Sequence, residues 1–220
     1  MSAARATKGA EDKAPVPHQT DHKTTGRSVS EEDMLRAHFY GLLARLLAAP
    51  MTAETLTLVR GIDGGDSPLG RALSALAGVA SRTTQEAAED EYSALFYGAG
   101  AGGEILPYAS HYLTGFLYEK PLADLRGDLG KIGIEPSGTS SEPEDHIAFL
   151  CEVMHGLIVG AYGDSSDFAR QKAFFCAHIE PWARQFFIDL EGAKAAAVYM
   201  PVGAIGRIFM EIESEAFRMS

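Results

Sequence analysis

Basic charge is scarce in this chain outside its first thirty residues. Of 220 residues, 19 are Lys or Arg against 30 Asp or Glu, a net charge of −11. Residues 1–30 hold five of the bases and three of the acids, so the remainder carries −13. Nucleic acid is thereby excluded as a partner, because its phosphates need a basic surface. A basic partner is favoured instead. Cysteine is also sparse: Cys151 and Cys176 are the only two, far apart and inside apolar helical patterns. They are read as buried free thiols in a reducing compartment. No apolar run approaches the roughly 18 residues that a membrane span requires. The N-terminus lacks an apolar signal core and an adjacent arginine pair, so the expected location is the cytoplasm. Alternation of period two bounded by turns is absent, and no strand is expected. No internal repeat marks a solenoid.

What is present is helical grammar. Apolar residues make up 46%, ordinary for a globular protein with ample material for one core. Residues 1–29, rich in Ala, Lys, Thr, Pro and His, show no apolar periodicity and are expected to be a disordered tail. The folded domain is expected over 30–220. Ser30-Glu31-Glu32-Asp33 resembles a capping box, followed by Met34, Leu35, Phe39, Leu42, Leu43, Leu46 and Leu47 at helical spacing until Pro50. Further helices are predicted from Thr52 to Gly61, from Ser67-Pro68 to about Ala80, and from Thr83-Thr84-Gln85-Glu86 through Leu95 and Phe96 to a stop at Gly98. Pro107 to about Tyr118 and Pro121 to about Ile132 follow, the latter closed by Gly133. The remainder reads as helices over about 143–162, 165–179, 181–190 and 194–218, the last kinked at Pro201. The fold class is all-α, with eight to ten helices in a single domain.

Several motifs invite chemistry and fail on context. Gly98 to Gly103 contains G-x-G-x-x-G, but the segment before it is acidic and helical, and no βαβ unit surrounds it. It is a connector. Glu152 and His155 have the Glu-x-x-His spacing of di-iron bundles, yet such sites use two copies and further carboxylates. Cys151 and His155, four apart on one helix, lack a third orienting group and an oxyanion hole. No Walker-type loop or G-x-S-x-G occurs. The reading is of a protein that is not an enzyme and carries no cofactor, with a helical metal-binding or redox protein on Glu152 and His155 as the alternative.

Two other elements point to binding. Ser140-Ser141-Glu142-Pro143-Glu144-Asp145-His146 opens an apolar-periodic stretch, with Pro143 suited to a first helical turn and Ser141 or Glu142 to its cap. Acids there suit the helix dipole and are expected to raise the proton affinity of the imidazole. Tyr92, Leu95 and Phe96 share one face at a helix end, and Pro107-Tyr108 follow the glycine loop. Periodicity assigns Leu95 and Phe96 equally well to the core or to an apolar groove. A groove with an acidic edge would suit a basic, apolar peptide.

Glu91-Tyr92-Ser93-Ala94-Leu95-Phe96-Tyr97-Gly98, then Pro107-Tyr108, then Glu142-Pro143-Glu144-Asp145-His146 resembles the TorD/DmsD/NarJ family in order and spacing. With its helical flanks, the resemblance spans about residues 32–215. It implies an all-helical cytoplasmic chaperone of a molybdenum-containing oxidoreductase. Such a chaperone binds the client's twin-arginine signal peptide and delays export until the molybdopterin cofactor is inserted. Carried over by position, Tyr92, Leu95, Phe96, Pro107, Tyr108, Asp145 and His146 match family residues implicated in that binding. The peptide's arginines are expected to be held near Glu142, Glu144 and Asp145 by charge-assisted contacts. Tyr92 and Tyr108 stand where relatives often carry Trp, and the loop is richer in Gly and Ala than in relatives. The stretch from Ile105 to Leu117 is most similar to members associated with formate dehydrogenases. Some relatives have been proposed to bind guanine nucleotides, for which no motif is present here. The resemblance also implies a monomer or a helix-swapped dimer, with 98–103 as its hinge.

Overall fold

The computed structural model describes residues 29–98, 102–134, 142–164 and 167–219. Most of the expected tail, the centre of the glycine loop and the capping candidates Ser140 and Ser141 lie outside them. Ten helices and no strands make up the described residues: α1 (Glu31–Ala48), α2 (Ala53–Arg60), α3 (Pro68–Ala80), α4 (Gln85–Phe96), α5 (Ala109–Thr114), α6 (Lys120–Lys131), α7 (Ile147–Val159), α8 (Phe168–His178), α9 (Ala183–Gly192) and α10 (Met200–Arg218). The protein is all-α.

The first four helices begin where local chemistry directs. Ser30, Thr52, Ser67 and Thr84 each accept a backbone N–H from three residues ahead, which satisfies one of the donors left open at a helix start. Helix α1 lies along α7, and α10 lies along α9 and against α3. At the centre of the core, Tyr40, Leu43, Leu150, Phe186, Phe187 and Ile205 are fully buried.

Two glycines set the spacing of α9 and α10. A Cβ at Gly203 would sit 2.4 Å from the backbone nitrogen of Glu191, and one at Gly206 would meet the Phe187 ring at 2.1 Å. The first obstacle is main chain and cannot rotate away. Gly203→Val is therefore expected to push the two helices apart, destabilising the fold by about 1–3 kcal/mol. Thermal unfolding checks this as a fall in Tm of roughly 5 °C.

Three sequence expectations need correction here. The helix expected from residue 143 starts at Ile147, with His146 rather than Ser141 or Glu142 at its cap. Pro143 lies outside it, in a turn whose carbonyl accepts the His146 N–H at 3.1 Å. The last helix starts at Met200, so Pro201 occupies its first turn and kinks nothing. The segment before it is non-helical because Glu91 captures the N–H groups of Ala197, Val198 and Tyr199 at 2.7–3.0 Å. Glu104 likewise takes those of Lys194 and Ala195. Finally, Cys151 is buried but Cys176 is exposed. The apolar side of α8 is carried by Phe174 and Phe175, and Cys176 falls on the other side.

Candidate functional site

The site is built on a junction between two loops that are far apart in sequence. A single antiparallel bridge pairs Tyr108 with His146. The Ala109 N–H donates to the Asp145 carbonyl at 3.0 Å, and the Ile147 N–H donates to the Pro107 carbonyl at 2.9 Å. Helix α5 has no cap from its own segment. Asp145 supplies one from outside: its Oδ2 accepts the Ser110 N–H at 2.8 Å. The junction thus fixes the starts of α5 and α7 together.

Within it, Asp145 is fully buried, and neither its Oδ1 nor the Ser110 hydroxyl has a hydrogen-bond partner among the described residues. A buried carboxylate oxygen left unpaired is unusual, since burial without a donor is penalised. His146 turns its Nδ1 inward to accept the Ala148 N–H at 3.1 Å, and its ring meets Tyr108 edge-on at 5.3 Å. Burial pushes the imidazole down to about 4, against the opposing pull of Glu142 and Asp145. The expectation that neighbouring acids would raise its proton affinity is overturned, because desolvation of the charged form outweighs them.

Glu142 is the hub of the outer layer. The Tyr108 hydroxyl donates to its Oε2. Burial first, and then Glu142, raise the Tyr108 phenol well above its usual range, with smaller contributions from the nearby Tyr97 and Tyr118. Burial and Glu142 also raise Tyr97. Tyr97 and Tyr108, phenols from two separate segments, therefore face one carboxylate. Glu144 is engaged elsewhere: it accepts from Arg126 Nε and Nη2 at 2.9 and 2.7 Å.

Spacing left Tyr92, Leu95 and Phe96 open between the core and an apolar groove, and the family resemblance implied a peptide-binding groove. In the structure they are buried in the core. Tyr92 stacks among Phe96 and Tyr199 at centroid distances of 4.7 and 5.7 Å, and its hydroxyl donates to the Leu47 carbonyl at 3.0 Å. Pro107 is buried as well, whereas Tyr108 and Glu142 are half-buried. Tyr97 links the two groups: its ring lies 5.8 Å from Tyr92, and it also faces Glu142. The predicted residues do come together, but as a buried backing under an accessible rim of Tyr97, Tyr108 and Glu142. Tyr97 lies within the same sequence motif, where no local signal marks it for a role. A groove of about 680 Å³ runs between the 103–106 segment, α5 and α9. Leu106, Tyr112 and Ile188 supply apolar wall, and Glu104 and Asp189 supply acid.

The alternative metal reading gains nothing from the geometry. His155 is bonded through Nδ1 to the Ala37 carbonyl at 2.8 Å, tying α7 to α1, and Glu152 is exposed. Among the described residues, no three His, Cys, Asp or Glu side chains are placed to hold a metal ion. Burial raises the Cys151 thiol far above its usual value, which suits packing rather than nucleophilic attack. No helix among the described residues is long and apolar enough to cross a membrane.

Comparison with known proteins agrees with this picture. A family model described as the nitrate reductase delta subunit matches residues 63–188. The chaperone protein TorD of Vibrio atlanticus (strain LGP32) is 26% identical over 201 residues, covering 82% of this chain and 93% of that protein. The TorD chaperone of Aliivibrio fischeri (strain ATCC 700601 / ES114) is 35% identical over 144 residues, covering 56% and 64%. A crystal structure from Archaeoglobus fulgidus, described as a candidate redox enzyme maturation protein, superposes with a TM-score of 0.54 at 19% identity. It covers 80% of this chain and 94% of that one, and it bears on the fold alone.

Proposed function

The chain belongs to the nitrate reductase delta subunit family, which takes in the TorD chaperones, and from that premise we propose that it is a cytoplasmic maturation chaperone for a molybdopterin-containing oxidoreductase. It binds the client's twin-arginine signal peptide and holds back export until the cofactor has been inserted. A formate dehydrogenase is the client favoured by the stretch from Ile105 to Leu117. The protein performs no reaction of its own in this role; it binds, shields and releases.

The observation that carries the reading is the unpaired Oδ1 of Asp145 beneath the Tyr108–Glu142 contact. A buried carboxylate oxygen without a donor is matched by a guanidinium, which brings several N–H groups and a positive charge. Glu142 lies on the approach, and the strongly negative body of the protein draws a basic segment toward it. The peptide's apolar segment lies in the groove, against Leu106, Tyr112 and Ile188. Tyr92, Leu95, Phe96 and Pro107 act from behind, holding the rim in place. His146, kept neutral, fixes the start of α7 and orients Asp145.

Titration of a fluorescently labelled client signal peptide tests this. Asp145→Asn keeps the shape and an acceptor for the Ser110 N–H, yet removes the charge. A hydrogen bond to a charged group contributes about 1.5–3 kcal/mol, so affinity is expected to fall by about tenfold or more. Unchanged affinity in Asp145→Asn and in Tyr108→Ala, with both variants folded, would sink the proposed site.

A further inference from the structure

We propose that the turn between α5 and α6 is a self-association surface. Phe116 of one copy of this chain fills the cavity beside Leu113 of a second copy, and the reverse, giving a two-fold dimer without exchange of helices. None of the side chains that line this cavity is among those assigned above to the signal peptide.

The recess is a cavity of about 340 Å³ among α5, α6, α7 and α8. Leu113, Pro121, Leu125 and Leu150 give it apolar walls. Its polar lining is paired within the chain: His178 Nε2 and Asp128 Oδ2 lie 2.9 Å apart, and Asp124 pairs with Lys120. What the cavity offers an occupant is therefore mainly apolar wall. Its volume falls in the range of clefts that receive a bound group.

The projection lies on the adjoining turn. Of the nine large apolar side chains exposed among the described residues, Leu113, Phe116 and Tyr118 fall within six residues of one another, at 43%, 69% and 70% exposure. Such clustering marks an interaction surface, whereas single exposed apolar residues do not. Leu113 is at once a wall of the cavity and exposed, so the cavity reaches the surface beside this turn. Phe116 does not fill the cavity of its own chain; its ring faces water. Its backbone is fixed to α5: the Phe116 N–H donates to Thr114 Oγ1 at 3.2 Å, and that hydroxyl donates to the Ser110 carbonyl at 2.8 Å. An anchor held in place before docking loses little freedom when it docks.

Position and charge select a second copy as the occupant. A two-fold contact needs one patch that carries both the projection and the recess that receives it. Phe116 lies three residues from Leu113 and meets that need. Over most of its surface the strongly negative body, at −13 for residues 31–220, repels its own copies. Residues 119–131 are the exception, with the acids Glu119, Asp124 and Asp128 balanced by the bases Lys120, Arg126 and Lys131. Opposite signs meet there across a two-fold axis without net repulsion. An aromatic anchor in an apolar recess, ringed by charged side chains, is the arrangement from which protein interfaces draw most of their affinity.

Sedimentation of the full chain over a concentration series decides it. Wild type is expected to pass reversibly from monomer to dimer in the micromolar range. Phe116→Asp removes both projections, and Ala177→Trp, at an exposed position on the cavity lining, fills both recesses. Each is expected to raise the dimer Kd by about a hundredfold or more, because two anchors are lost per dimer, with Tm unchanged at these exposed positions. Mixing the two variants is expected to give a pair tighter than either alone: Phe116 of the Ala177→Trp copy meets the open cavity of the Phe116→Asp copy, and one contact of two is restored. Wild type that stays monomeric to roughly 200 µM overturns the dimer. If Phe116→Asp then weakens a labelled client signal peptide, the surface belongs to the client instead. A dimer that persists in both variants and dissociates slowly on dilution also overturns the proposal, in favour of helix exchange. A mixture no tighter than its components overturns the pairing of Phe116 with the cavity.

Discussion

Glu213→Ala is expected to destabilise the protein by about 3–5 kcal/mol, more than any other single change considered, and to lower Tm by roughly 10 °C. The reason lies in a buried ion pair at the meeting of α1, α8 and α10. Arg36 Nε and Nη2 donate to the two oxygens of Glu213 at 2.8 and 2.9 Å, a forked pair with both side chains nearly out of solvent. Nη1 continues to Asp33 at 2.8 Å and Gln171 at 3.1 Å, and the Tyr40 hydroxyl donates to Glu213 at 3.0 Å. Phe168 and Phe217 lie against the guanidinium at 5.8 and 5.2 Å. Burial works against the Arg36 charge, but hydrogen bonding and charge from Glu213 win and raise its pKa above the usual value.

Removing Glu213 would leave that guanidinium desolvated with only Asp33 and Gln171 beside it, which is the costly half of breaking a buried pair. Replacing both partners behaves differently. Arg36→Met with Glu213→Leu removes the charges together and is expected to recover most of the loss, because the net worth of a buried pair against an apolar one is small. Tyr40→Phe is expected to cost only about 1 kcal/mol. Urea unfolding of the three variants checks the ordering. A Glu213→Ala variant that loses less than the double replacement would show that the network does not pin these helices. Because the pair is buried, the effect should vary little with salt.

The parts of this fold that were legible in sequence are those decided within a few residues. Ser30, Thr52, Ser67 and Thr84 announce their helices because the acceptor and the donor lie three residues apart. Gly133, at φ +78°, likewise announces a stop. The errors fall where the deciding partner is distant. Pro143 fits a first turn in principle, but the segment after it is held by Pro107 and Ala109. The 193–199 connector reads as helix until Glu91, over a hundred residues away, takes its N–H groups. The candidate site follows the same division. The residue types of Tyr108, Glu142, Asp145 and His146 stood out locally, and the structure gathers them. Whether Tyr92, Leu95 and Phe96 faced a groove or the core could not be read from spacing, since either surface buries one helix face. Tyr199 and Leu47, which cover Tyr92, carry no local signal of doing so.

Acid should weaken the protein through His146 in a window that is higher than carboxylate titration alone would give. In the fold its pKa lies at about 4, driven by burial, against 6.5 for the free side chain. Its depressed value sets the sign. Above pH 6.5 the imidazole is neutral in both states and stability is unaffected. As pH falls below that, the unfolded chain takes up a proton that the folded chain refuses. Stability then declines by about 1.4 kcal/mol per pH unit, to a total of about 3 kcal/mol near the folded pKa. Protonation also removes the Nδ1 lone pair that caps α7 at Ala148. The charged groups facing the ring, Glu142 and Asp145, pull in the opposite direction and are outweighed. Asparagine at this position can cap a helix and does not titrate. His146→Asn is therefore expected to unfold in urea with a midpoint that stays nearly level from about pH 7 to pH 5, where wild type declines. The difference between the two curves isolates the histidine, because every carboxylate is common to both. Parallel curves would show that the acid sensitivity does not come from His146, and would mean that its imidazole takes up a proton in the fold as readily as in the unfolded chain.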